Sequence, residues 1–208
     1  MNKQISNLIL NELKLVIENP ECELDYTSVF TLLVAVVLSS QTTDKRVNMV
    51  TKVLFNKYKT ISDLANAKYE DVYQIILPLG LAKNKTLNII ALANKIHNEY
   101  NDMVPKDIKE LEKLPGVGHK TASVVMAVGF RVPAMPVDTH LHRVSIRLGY
   151  IKDTQDVKEC ELALKKYIDE KDWILAHHLL LLFGRYHCKA KNPECSLCKL
   201  KTYCKYKG

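Results

Sequence analysis

The sequence predicts an all-α protein. Apolar residues recur at three-to-four spacing in one segment after another, no segment alternates at period two, and cap-forming Ser, Thr or Asp residues precede the apolar runs. Its 208 residues can bury a real core, since folded chains of this size remove well over half of their surface from water. With 47% hydrophobic and 25% charged residues the chain sits at the globular average, which excludes a disordered chain and a disulfide-dense secreted scaffold.

The first apolar stripe runs from Ile5 to Ile17, and its early part has neither the long apolar run nor the cleavage site of a signal peptide. Val29 to Leu38 (VFTLLVAVVL) is apolar on every face but far short of the about 20 residues a membrane span needs. It predicts a buried core helix capped by Ser28, in a soluble, cytoplasmic protein. Thr43 and Ser62 are the caps expected for the next helices, and Val47 to Tyr58 and Leu87 to Ile96 carry further helical stripes. Asp107 opens a short helix, Asp138 precedes the stripe that includes Val144 to Leu148, and Asp172 precedes Trp173 to Phe183. The turns PLGL at 78–81, LPGVG at 114–118 and VPAMP at 132–136 separate these runs, giving about ten helices and a terminal cysteine loop. Composition sets no domain boundary; Pro133 and Pro136 flank the expected hinge.

Charge and cysteines both concentrate at the end of the chain. Residues 188–208 hold six lysines against one acid, Glu194, and so supply +5 of the net +7. That asymmetry suits a polyanionic partner, nucleic acid or an acidic membrane surface, although a solvated lysine tail produces the same count. Cys22 and Cys160 stand apart, whereas Cys188, Cys195, Cys198 and Cys204 crowd into 17 residues with spacings of six, two and five. In a reducing compartment four such thiolates point to a metal centre, either tetrahedral zinc or a [4Fe-4S] cluster. Structural zinc more often has two close pairs, and only Cys195 and Cys198 form one here.

Two further motifs carry chemistry. In Leu114-Pro115-Gly116-Val117-Gly118-His119-Lys120-Thr121-Ala122, two helices meet at a glycine turn. Gly116 and Gly118 are expected to take positive φ and let the backbone around Val117 approach a phosphate, with the next helix N-terminus facing the anion. Lys120 falls in the first turn of that helix, where the macrodipole and any burial disfavour the cation and so favour the free amine that a Schiff base requires. A surface lysine touching phosphate is the blander reading. In Pro136-Val137-Asp138-Thr139-His140-Leu141-His142-Arg143-Val144, Asp138 is placed either as an N-cap contributing about 1 kcal/mol or as a carboxylate that stabilises a developing oxocarbenium ion and assists proton movement. His140 and His142 do not share a helix face and make no metal pair; contact with DNA or packing is expected for them.

Together these residues resemble the endonuclease III family of the helix-hairpin-helix DNA glycosylase superfamily. The anchors are LLVAVVLSSQTTD at 32–44, LPGVGHKTA at 114–122, VDTHLHRV at 137–144, GRYHC at 184–188 and the cysteine loop, so the resemblance covers nearly the whole chain. It implies a six-helix barrel lobe over residues 22–132, with the helix-hairpin-helix at about 107–128, and a discontinuous cluster lobe from residues 1–21 and 133–208, with its cluster loop at 188–204. It implies base-excision repair: an N-glycosylase with AP lyase activity on oxidised or ring-saturated pyrimidines in duplex DNA, in a monomer working at the bacterial nucleoid. By the same resemblance Lys120 is the Schiff-base nucleophile, Asp138 the assisting carboxylate, and Cys188, Cys195, Cys198 and Cys204 hold a [4Fe-4S] cluster. Gln41 fills the gap left by an extruded nucleotide, Leu81 is the accompanying wedge, and Gly116, Val117, Gly118, His140 and Arg143 contact DNA. Ser40, Thr42 and Ser123 depart from common family residues, which bears on substrate range more than on reaction type. The chain also ends four residues after Cys204, without the extra domain of adenine-mismatch glycosylases.

Overall fold

The computed structural model describes residues 1–206, and Lys207 of the basic segment lies outside them. Among the described residues there are eleven α-helices and no strand. They are α1 (Lys3–Val16), α2 (Val29–Leu38), α3 (Asp44–Lys57), α4 (Ile61–Ala65), α5 (Tyr69–Ile76), α6 (Ala82–Tyr100), α7 (Ile108–Glu112), α8 (His119–Val124), α9 (Thr139–Arg147), α10 (Val157–Tyr167) and α11 (Trp173–Tyr186). No helix is long and apolar enough to cross a membrane. The chain divides into two compact units, Glu23–Phe130 and a second made of Met1–Cys22 with the chain from Arg131 onward.

The continuous unit is organised around α2, whose residues from Phe30 to Leu38 are all buried. Its all-round apolar surface is satisfied because α3, α6, α8 and the π turn Val125–Gly129 that continues α8 all pack on it. Ser28 starts α2 with a capping box, its hydroxyl accepting from the Thr31 N–H while Thr31 Oγ1 accepts from the Ser28 N–H. At α4 the cap is Thr60, not the expected Ser62, because Asp63 three residues on returns the reciprocal bond. α6 begins at Ala82, five residues before its apolar stripe, since KNKT carries no hydrophobic periodicity but still helps form the first turns.

The second unit packs α11 against α9 and α1. Ile9, Leu13, Leu141, Val144, Cys160, Leu164, Ala176 and Leu179 are fully buried there. Gly184 permits the approach of α11 to α9, for a Cβ at that position would lie 2.9 Å from the His140 carbonyl oxygen. The expected hinge is corrected at Pro136. That residue is buried, its carbonyl accepts from His177 Nδ1 at 2.8 Å, and its neighbours Met135 and Val137 belong to this unit's core.

Candidate functional site

In the Glu23–Phe130 unit the candidate residues Gln41, Leu81, Gly116, Gly118 and Lys120 are exposed and lie at helix ends. Asp107 caps α7 by accepting from the Lys109 and Glu110 N–H groups, and the chain then turns through Leu114–Gly118 into α8. His119 Nδ1 lies 2.6 Å from Glu112 Oε1 and ties the two arms of the turn. Gly116 has φ +77°, as its motif predicts, but Gly118 corrects the expectation: its φ is −95°, an ordinary extended value. A Cβ on Gly118 would meet nothing within 4 Å, so the space beside it is open. Val117 has its side chain buried in the core, and its N–H donates to the Leu114 carbonyl at 3.1 Å.

Lys120 stands exposed in the first turn of α8. No side chain makes the N-cap hydrogen bond at the start of this helix.

Gln41 and Leu81 share a conformation that the sequence gave no hint of. Both are exposed and both have left-handed backbones, φ 54° and 50°, a conformation costing about 1–3 kcal/mol for a residue with a Cβ. Below them Thr42 Oγ1 donates to the Leu79 carbonyl at 2.5 Å, and the buried Lys85 ammonium donates to both Thr42 Oγ1 and Leu79 O at 3.0 and 3.1 Å. Burial lowers the Lys85 pKa. Sequence reasoning missed this lysine, since a lysine in the polar run KNKT looks like a solvated one.

In the second unit Asp138 is the N-cap of α9, with Oδ1 accepting from the Leu141 N–H at 2.8 Å. Oδ2 has no protein partner among the described residues. His140 is half-buried with Nδ1 3.4 Å from Arg143, and His142 Nε2 donates to the Gln155 carbonyl. Arg143, a candidate DNA contact, donates from Nη2 to the Gly184 carbonyl at 2.7 Å and from both Nε and Nη2 to the Cys188 carbonyl. Its guanidinium anchors the start of the cysteine loop.

Cys188, Cys195, Cys198 and Cys204 line one cavity of about 190 Å³, walled by Val16, Leu148 and Phe183. Burial raises the Cys198 thiol, and the other three thiols raise it further. Among the described residues no three His, Cys, Asp or Glu side chains converge on a single ion position. Four sulfur donors around one cavity several times the roughly 30 Å³ share of one water form a donor set that could hold a metal centre. Arg147, also missed in the sequence, is buried beside them; its Nη1 donates to the Lys189 carbonyl at 2.8 Å and to Cys188 Sγ at 3.2 Å, while its carbonyl accepts from the Lys205 N–H. The available signal was its position four residues after Arg143, on the same helix face.

Comparison with known proteins agrees with this arrangement. Residues 34–170 match the model of the HhH-GPD superfamily of base excision DNA repair proteins. Endonuclease III of Bacillus subtilis (strain 168) is 49% identical over 185 residues, covering 89% of this chain and 84% of that protein. The chain belongs to the endonuclease III family. Across this family the Rickettsia conorii protein is 46% identical over 207 residues, 99% of this chain and 98% of its own. The solved structure of a trapped endonuclease III–DNA covalent intermediate, an estranged-adenine complex, superposes with a TM-score of 0.94 at 46% identity, covering 99% of this chain and 96% of that one.

Proposed function

We propose that this endonuclease III family member is a base-excision repair DNA N-glycosylase with AP lyase activity, removing oxidised or ring-saturated pyrimidines from duplex DNA. The observation that carries this reading is the likeness, over nearly all of the chain, to an endonuclease III held covalently on DNA. Lys120 is the group suited to such a bond: an exposed primary amine placed directly after the glycine turn. The open space beside Gly118 admits a phosphate to the backbone of that turn, which positions the duplex without reading its sequence.

Lys120 Nζ attacks C1' of the extruded nucleotide, the C1'–N bond breaks, and the base leaves with the bonding electron pair and takes up a proton. The amine loses a proton, the C1'–O4' bond then breaks with O4' taking up a proton, and the ring-opened iminium so formed acidifies C2'. Loss of a C2' proton then expels the 3' phosphate oxygen by β-elimination, and water hydrolyses the imine to return the amine. Asp138 is the assisting carboxylate: its N-cap bond fixes Oδ1, and Oδ2 remains to face positive charge or accept a proton. Gln41 and Leu81 enter the space left by the extruded nucleotide, where flipping costs a few kcal/mol.

Cys188, Cys195, Cys198 and Cys204 would hold a [4Fe-4S] cluster, for which the shared cavity and the four sulfur donors that line it are the support. When bound, the cluster supplies a four-point cross-link of the basic loop, whose lysines Lys189, Lys191, Lys199 and Lys201 then meet the DNA backbone as a fixed array. A site of action at the nucleoid follows from this partner.

The test uses labelled duplex with one thymine glycol or one abasic site, treated with borohydride. Wild type is expected to form a trapped adduct on both and Lys120→Gln on neither, with at least about a thousandfold loss of strand cleavage. Base release without an adduct would assign a monofunctional glycosylase instead.

A further inference from the structure

We propose that Lys85 is a positioning residue that clamps the Gln41 and Leu81 loops together, so that both side chains enter DNA from one rigid platform. The inference rests on the function proposed above.

Three atoms form a closed polar triangle: Lys85 Nζ, Thr42 Oγ1 and the Leu79 carbonyl oxygen, with each edge a hydrogen bond of 2.5–3.1 Å. Thr42 directly follows Gln41, and Leu79 precedes Leu81 by two residues, with Gly80 between them at φ +68°. The triangle therefore joins two loops 37 residues apart in sequence at the points where each bends into its left-handed residue.

Packing does not account for a lysine here. Lys85 is only 4% exposed and pairs with no carboxylate among the described residues, so a methionine would fill the same space without burying a charge. What the ammonium adds is directionality, because it donates to both loops at once. Without it, Gln41 and Leu81 can leave the left-handed region separately. Leu81 is 54% exposed, so its side chain is not what holds it in that region.

The experiment uses the full chain and two duplexes, one intact and one carrying a stable tetrahydrofuran abasic analogue. The readout is the ratio of the two dissociation constants, measured well below each variant's melting temperature. Lys85→Met and Thr42→Val are each expected to lower the preference for the abasic duplex about tenfold, the effect of losing a charge-assisted hydrogen bond. In a Gln41→Ala/Leu81→Ala background the same changes are expected to alter the ratio less than about twofold, because the clamp then has nothing to present. A folded Lys85→Met or Thr42→Val with an unchanged ratio overturns the proposal, whatever its melting temperature. So does a further tenfold loss in the double-alanine background. Thr42→Val exchanges one hydroxyl for a methyl and carries the test if Lys85→Met does not fold. A wild type that traps no abasic site with borohydride overturns the underlying function and this inference with it. A wild type that traps the site, and whose preference falls in Gln41→Ala/Leu81→Ala but not in the clamp variants, overturns the clamp alone.

Discussion

Lys85 in the Glu23–Phe130 unit and Arg147 in the unit built from both chain ends are buried cations that donate to loop carbonyls, yet the loops they hold differ in kind. Lys85 fastens two short turns whose neighbouring helices are already packed on α2. Arg147 fastens a segment from Cys188 to Tyr206 that contains no helix and rests on little core of its own beyond Leu200. The first unit can shape its exposed residues from apolar packing and one polar triangle. On the function proposed above, the second has its loop fixed when its four cysteines hold a common centre.

The strongest way to break that contrast is Cys198→Ser. Expected are loss of bound iron and of visible colour, with destabilisation on the order of 5 kcal/mol, roughly 15 °C in Tm. Hydrogen exchange should show the damage in α1, α9 and α11 while α2 keeps its protection; equal loss in both units would end the distinction.

Acid should also act on the second unit first. His178 is buried with an unsatisfied Nδ1, and burial, then the charge of Arg131, lowers its pKa to about 4 against a small opposing effect from Glu21. Its neutral form belongs to the folded state, so its contribution is complete above the unfolded value near 6.5 and is lost as pH falls from there towards 4. The loss amounts to about 3 kcal/mol. A stability–pH titration of His178→Gln should lack that acid limb, and a limb of unchanged depth would refute the assignment.

The smallest effect sharpens the comparison through two glycines. An alanine at 184 meets the backbone of His140, which cannot give, whereas an alanine at 129 meets the Val29 and Leu32 side chains at 3.1 Å, which can shift. Gly184→Ala should cost about 2 kcal/mol and Gly129→Ala less than about 1 kcal/mol in chemical denaturation.

The helices were legible because periodicity reports local burial; VFTLLVAVVL announced α2 with its boundaries. Turn chemistry gave Gly116 its positive φ, and the cap at Asp138 followed from its place before an apolar stripe. What the sequence concealed depends on partners distant along the chain. Gly184 is an ordinary helical glycine until His140 lies beside it, and the carbonyls that Arg143 meets, those of Gly184 and Cys188, lie more than 40 residues along the chain. Lys85 is hidden by its company: of the three lysines within 83–95, Lys83 is exposed and Lys95 half-buried, and nothing in the string marks Lys85 as the one that turns inward.

The discontinuity of the second unit also sets an order of events on the ribosome. Helix α1 emerges early with Ile9 and Leu13 on its face, but α11, against which it packs, is made only after more than 150 further residues. At bacterial elongation rates that interval is on the order of ten seconds. Glu23–Phe130 can complete its fold during this time, while the apolar face of α1 waits uncovered and offers a nascent-chain chaperone its first binding site.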